Sequence, residues 1–204
     1  MIYEFRTYTL KPRTQGEFIK RFEEKLVERQ KFSKLAALWY TEIGRLNEVV
    51  HVWGYDNLGA REKIRAEAVK AGAWPPKIGE YIHDMRSEIF IPLPFSPTLE
   101  PSNHGPIFEM RSYVMQYGAA PEMSKRWQEH MGNRIKLSPL IGVFTSDAGP
   151  LNQWVHIWAY NSMEHRTQIR TKAQKEGIWP PPGPSPLVTQ ETKIMLPAAC
   201  SPIK

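Results

Sequence analysis

Hydrophobic and polar positions alternate along residues 49–57, VVHVWGYDN, so that Val50, Val52 and Gly54 share one side of an extended chain while His51, Trp53 and Tyr55 share the other. Period-two alternation predicts a half-buried β-strand. The same reading gives a strand over residues 2–9, broken by Pro12 and Gly16. A helix follows over roughly 15–32, with apolar Phe18, Phe22, Leu26 and Val27 at helical spacing. LAALWYTEIG (35–44) reads as a strand stopped by Gly44, and EVVHVWGY (48–55) as its hairpin partner. Asp56 or Asn57 can cap a second helix running to about Ala71, after which Gly72 supplies a left-handed stop. SEIFIPL (87–93) closes a β-α-β-β-α-β unit of ferredoxin-like topology, with both helices on one sheet face.

The unit occurs twice. Residues 46–76 match residues 151–181 at a constant offset of 105, with about half the positions identical. WVHIWAYNS thus repeats VVHVWGYDN, and FEMRSYVMQY repeats YEFRTYTLKP. The domain organisation read from this is a first unit over 1–91, a proline-rich linker over 92–106 and a second unit over 107–204.

A four-stranded sheet with helices on one face must cover the other face, and the second copy is the available cover. The expected fold is therefore α+β, two ferredoxin-like repeats packed sheet to sheet as an intramolecular α/β barrel. If the helices cover the aliphatic side, Tyr3 and Phe5 pack toward them with Val50 and Val52. The set Glu4, Arg6, Tyr8, His51, Trp53 and Tyr55 then points into the barrel, with Glu109, Arg111, Tyr113, His156, Trp158 and Tyr160 opposite. A one-residue slip would invert this assignment.

Such an interior has two readings. Glu–Arg pairs hydrogen-bonded through Tyr and His can hold the two sheets in register, since buried charges must be paired. Alternatively, arginine can grip a carboxylate or enolate while the aromatics wall a pocket, making these residues ligand-binding. His51 and His156 are the candidates for moving a proton, having the right unperturbed pKa. Arg61 and Arg65 recur as Arg166 and Arg170, one helical turn apart, which suits an anion site, a shared packing contact or a solvated face. WPP at 74–76 and 179–181 reads as a rigid turn with its indole docked on the barrel rim.

Composition narrows the classes. With 41% hydrophobic and 24% charged residues the chain suits a packed domain. The net charge of +6 is spread through mixed-sign helices such as RFEEKLVERQK, with no basic cluster to suggest nucleic acid. No apolar run approaches the roughly 20 residues of a membrane span. A lone cysteine, Cys200, excludes an internal disulfide and favours a reducing compartment. The chain opens on IYEFRTYTL, so the expected location is cytoplasmic. No metal-ligand spacing, nucleophile elbow, phosphate loop or dinucleotide fingerprint occurs.

Taken together, YEFRTYTLKP, VVHVWGYDN, the following helix with Arg61 and the WPP turn resemble the NIPSNAP family, in both halves. The second copy departs at its first turn, where MQYGAAPE replaces LKPRTQGE. The resemblance implies the dimeric α/β-barrel form of the fold, built within one chain and compatible with a homo-oligomer. It does not imply a settled reaction. The wider barrel superfamily includes cofactor-independent oxygenases, isomerases and lyases as well as haem-using members. By that analogy Arg6 or Arg111 would hold an anionic oxygen and Trp53 or Trp158 would stack on a small molecule. No cofactor is predicted, and haem has no motif here. The competing reading is a scaffold whose interior is purely structural.

Overall fold

The computed structural model describes residues 1–204. Its strands are β1 (Ile2–Leu10), β2 (Leu35–Ile43), β3 (Glu48–Tyr55), β4 (Ile82–Pro92), β5 (Ile107–Met115), β6 (Leu140–Ala148), β7 (Gln153–Tyr160) and β8 (Leu187–Pro197). Its helices are α1 (Gln15–Arg29), α2 (Leu58–Lys70), α3 (Ala120–Arg134) and α4 (Met163–Lys175). Each half repeats β-α-β-β-α-β, as the periodicity predicts. Asn57 is the cap of α2, its side-chain oxygen accepting from the Ala60 amide, and Ser162 does the same for α4 at His165. Gly72 and Gly177 sit at φ +65°, where a side chain would strain the backbone. Strand β4 runs longer than expected because residues 82–86 continue the pairing with β1.

The strands close into one barrel in the order β1-β3-β2-β8-β5-β7-β6-β4. Within each half the order is that of a ferredoxin-like sheet. The β2–β8 and β4–β6 seams join the halves by backbone hydrogen bonds as well as by face packing. The segments after β4 and β8 fasten the opposite half reciprocally: the Val143 amide donates to Ser96 Oγ at 2.9 Å, and the Leu38 amide to Ser201 Oγ at 3.0 Å. Part of the proline-rich connection is packed into the core, with Leu99 buried and its amide donating to the Tyr3 hydroxyl.

The face assignment is the reverse of the expectation. In the register of β1 and β3, Glu4 lies opposite Trp53 and Arg6 opposite His51, so the polar-aromatic residues do share one face. That face turns outward, toward the helices. The barrel interior holds Tyr3, Phe5, Trp39, Val50, Val52, Phe90, Phe108, Phe144, Val155, Ile157, Ala159 and Met195 as one apolar cluster. Tyr8, Trp53 and Tyr55 pack with Phe18, Phe22 and Leu26 of α1 instead, and Tyr113, Trp158 and Tyr160 pack with Met123, Trp127 and Met131 of α3. The polar-aromatic barrel interior is thereby corrected to an apolar one. Closure removes the middle of the inner face from water, so apolar side chains fill it and the charges on that face, Glu48 and Lys193 among them, gather at one end. The helices bring the arginines that the buried glutamates need.

On α1 the buried positions are Phe18, Phe22, Leu26 and Arg29, while Val27 is exposed. An arginine thus completes the helix's inner stripe, and Arg134 does so on α3.

One end of the barrel is polar and is not two-fold symmetric in charge. Fully buried Glu48 accepts from Lys193 Nζ at 2.5 Å and Arg86 Nη2 at 3.2 Å. Its counterpart in the second half is Gln153, while Arg86 and Glu88 correspond to Glu191 and Lys193. A barrel made from two first units would set Glu88 in the place of Lys193, beside Glu48. Lys193→Met is expected to cost about 1.5–3 kcal/mol, the usual loss for a hydrogen bond to a charged group. Urea denaturation measures it, and an unchanged midpoint would show that Lys193 does not lock the halves together.

Candidate functional site

Between the outer face of β1/β3 and helices α1 and α2, Glu4 gathers the basic residues of the first unit. It is fully buried and accepts from Arg61 Nη2 at 2.6 Å, Ser87 Oγ at 2.7 Å and Arg6 Nη1 at 2.8 Å, with Arg65 Nη1 at 3.4 Å. Burial alone would raise its pKa; Arg61, Arg65, Ser87 and Arg6 outweigh that and hold it at about 2. Arg6 also donates from Nε to the Tyr8 hydroxyl at 2.9 Å. Arg29, buried from solvent, has hydroxyls as its direct partners, Ser33 at 2.7 Å and Tyr55 at 3.0 Å, and lies over the Trp53 ring at 4.5 Å.

The second unit repeats this arrangement. Glu109 accepts from Arg166 at 2.5 Å, Arg111 at 3.1 Å and Tyr160 at 3.3 Å, with Arg170 at 3.7 Å. Burial would raise its pKa, and Arg166, Arg170 and Arg111 together bring it below the usual carboxylate range. Arg111 Nε donates to the Tyr113 hydroxyl at 2.7 Å. Arg134 donates to Ser138 at 2.8 Å and Tyr160 at 3.1 Å, 3.9 Å from the centre of the Trp158 ring.

The two histidines are held identically. Trp53 Nε1–H donates to His51 Nδ1 and Trp158 Nε1–H to His156 Nδ1, each at 2.7 Å. That bond occupies the one lone pair of a neutral imidazole and puts its proton on Nε2. Burial, reinforced by Arg6, lowers the His51 pKa to about 3; burial and Arg111 lower that of His156 well below its ordinary value. Both rings are neutral at pH 7. Nε2 of each is buried without a hydrogen-bond partner, the ring of His156 edge-on to Tyr113 at 5.0 Å and Trp127 at 4.8 Å. Neither ring fits as a haem ligand, since both nitrogens are committed or sealed.

The units differ in what lies beneath the helices. In the second, a cavity of 530 Å³ opens between the sheet, α3, α4 and the loop after Trp179. Arg111, Arg126, Arg134, Arg166 and Arg170 line it, with Trp127, Trp158, Trp179, Tyr113 and His156, and none of its lining residues is an aspartate or glutamate. In the first unit the corresponding space is filled by Ile78, buried against α1 and the sheet, and by Tyr81, over which Arg21 lies at 4.8 Å. The second unit has Gly183 and Pro186 at these positions. Gly183 adopts φ +113°, and a Cβ there would meet Arg126 Nη1 at 2.6 Å. Arg126 donates to the Pro182 and Pro184 carbonyls on either side, holding the loop in a backbone conformation that favours glycine at 183.

Comparison with known proteins gives the family. A family model described as NIPSNAP matches residues 3–97 and again residues 108–202. The chain belongs to the NIPSNAP family. Human Protein NipSnap homolog 3A is 28% identical to it over 221 residues, covering 100% of this chain and 86% of that protein. The Dictyostelium discoideum NipSnap homolog is 30% identical over 182 residues, covering 87% and 78%. A crystal structure from Lactobacillus acidophilus superposes with a TM-score of 0.64 over 96% of this chain and 92% of that one, at 10% identity, which shows the fold alone. No helix of this NIPSNAP protein is long and apolar enough to cross a membrane.

Of the residues singled out by sequence in this NIPSNAP tandem, Arg111, Tyr113, His156 and Trp158 line the cavity, and Glu109 and Tyr160 stand behind it as partners of its arginines. Glu4, Arg6, Tyr8, His51, Trp53 and Tyr55 form the matching network where the space is filled. Arg166 and Arg170 are wall and anchor at once, neither a solvated face nor packing alone. Trp179 sits under the helices, 4.6 Å from Trp127, and not on the barrel rim. Sequence reasoning missed Arg126, Arg134, Met123 and Trp127. The signal for two of them was present: Arg21 and Arg29 recur at the same offset of 105.

Proposed function

We propose that this protein binds a small anion with a flat, aromatic body in the cavity of its second unit. The observation that carries the reading is a lining of five arginines and three tryptophans without one carboxylate. Guanidinium groups pair with carboxylates and other oxyanions through directed, charge-assisted bonds. Arg134, whose direct hydrogen-bond partners are hydroxyls, keeps a full charge near the cavity. The indoles offer ring faces and edges for stacking. Arg166 and Arg111 are largely engaged by Glu109, whereas Arg170 is more loosely attached and half exposed at the rim, free to meet a ligand.

For the first unit the structural reading is the better one. Its network ties α2 to the sheet in the same way, and Ile78 takes up the space a ligand would need.

Isothermal titration with naphthoate, and with neutral naphthamide as control, tests the proposal. Naphthoate is expected to bind at one site per chain and to quench tryptophan fluorescence, with naphthamide at least tenfold weaker. Arg170→Gln should weaken naphthoate by about three- to tenfold, a charge-assisted contact discounted for exposure at the rim. Equal affinity for the two compounds, or an Arg170→Gln protein that binds as the parent does, would overturn it.

A further inference from the structure

The cavity is rich in donors and has almost nothing that accepts a proton. His156 Nδ1 already accepts from Trp158, so the imidazole has no lone pair left to offer, and its Nε2–H is buried. The Tyr113 hydroxyl accepts from Arg111 and retains its own proton, burial raising its pKa. The Pro182 and Pro184 carbonyls are taken by Arg126. Thr167, Thr171, Gln174, Ser185 and Gln190 add neutral polar groups at the rim, and no carboxylate lines the space. A general base must offer a lone pair within hydrogen-bond reach of the proton it takes. None is offered here.

Such a site still acts on the ionisation of what it holds. A pocket that binds an anion more tightly than the protonated molecule favours loss of the proton by the ratio of the two affinities, as linkage requires. Five guanidinium groups against one buried glutamate, Glu109, and one exposed one, Glu122 at 3.7 Å from Arg126, give that preference a physical source. Carboxylic acids are ionised before they arrive, so the effect falls on weaker acids whose hydroxyl sits on a flat conjugated body.

Resting on the reading of this cavity as an anion site, we infer that it takes phenols and enolisable ketones as their conjugate bases, with no side chain serving as base. The O–H bond, or the C–H bond of the keto form, breaks; the electron pair stays on the ligand, as an oxyanion facing Arg111 and Arg170; the proton leaves to bulk water. No electrons are exchanged. The protein would thus hold in neutral solution an electron-rich phenolate or enolate that is otherwise scarce there.

Para-nitrophenol is a direct probe, because only its phenolate absorbs in the visible. Titrated with pH in the presence of saturating protein, it is expected to ionise at a pH lower by at least one unit than in buffer, a preference of tenfold or more for the phenolate. Naphthoate should displace it and restore the free-solution titration. Arg170→Gln should shrink the shift. Gln174→Glu, which sets a carboxylate on the exposed wall of α4 without touching the buried network, should shrink or reverse it. Para-nitroanisole, which cannot ionise, should bind at least tenfold more weakly. Should naphthoate bind while para-nitrophenol titrates as in buffer, the inference fails and the anion site survives. Should naphthoate not bind, both fail. A shift that naphthoate does not reverse, or that Gln174→Glu leaves unchanged, would place the dye elsewhere and overturn the inference.

Discussion

Glu4→Gln is expected to destabilise the protein by about 3–5 kcal/mol, the cost of stripping one partner from a buried ion cluster. The Glu4 carboxylate is inaccessible to water and holds Arg6 and Arg61 within 2.8 Å, with Arg65 at 3.4 Å. A neutral amide in its place leaves three guanidinium groups facing one another on the outer side of β1. It also releases α2, whose inner side is otherwise poor in large apolar residues, Ala68 being its one buried position. Urea denaturation at pH 7 measures the loss, read as a lower midpoint at constant slope. A change below about 1 kcal/mol would mean that the cluster is dispensable. The pH dependence follows with a definite sign. The folded pKa of about 2 lies below the roughly 4.3 of an unfolded glutamate. This contribution is therefore complete above about pH 4.3 and is lost as pH falls toward 2.

The histidines set an earlier and larger acid transition. Unfolded, an imidazole gains its proton near pH 6.5. In the fold His51 resists protonation down to about pH 3, through burial and then the neighbouring Arg6, and His156 is depressed in the same direction by burial and Arg111. A depressed folded pKa means that the unfolded state binds the proton first. Stability is thus whole above about pH 6.5 and falls with pH below it, by up to about 1.4 kcal/mol per pH unit for each histidine. Two histidines give an expected fall of roughly 2–3 kcal/mol per unit between about pH 6 and pH 5, before the unfolded counterparts of Glu4 and Glu109 begin to take up protons. Equilibrium unfolding at a series of pH values checks this. His51→Gln should remove about half of the slope whatever it does at neutral pH. A parent protein equally stable at pH 6.5 and 4.5 would refute the assignment. The same depression, with Nδ1 bonded to indole, argues against a proton-accepting role for either ring in any reaction at neutral pH.

The element order, the helix caps and the doubling of the unit were all legible, because each rests on local signals: alternation, Asn57 before a helix, Gly72 after it, and the offset of 105. The face membership was legible too. Glu4, Arg6, Tyr8, His51, Trp53 and Tyr55 do lie together. Which way that face turns was not. In an ordinary amphipathic sheet one side meets water and the pattern names it. Here both sides are covered, one by the rest of the barrel and one by helices, so alternation separates the two sets without saying which cover each receives. The arginines on the inner stripes of α1 and α3 were a clue to the answer. Arg29 and Arg134 stand where a hydrophobic pattern expects Leu or Val, which implies a polar surface opposite.

The cavity depended on less local facts still. Met123, Trp127 and Arg126 come to it from α3, Arg166 and Arg170 from α4, and Trp179 and Gly183 from a loop, and they meet only when both helices dock on the sheet. The difference between halves turns on Ile78 against Gly183, and its effect appears only when the loop has taken its path around Arg126.

Sequence by itself determined two copies of one β-α-β-β-α-β unit, their NIPSNAP resemblance, and a polar-aromatic strand face made twice. The tertiary structure alone decided that this face lies beneath the helices, that the closed barrel keeps an apolar cluster at its centre and its charges at one end, and that one copy of the face opens on a cavity. Closure is the reason. Period and spacing are properties of neighbours along the chain, whereas the cover over each face and the volume left beneath it are set by elements distant in sequence.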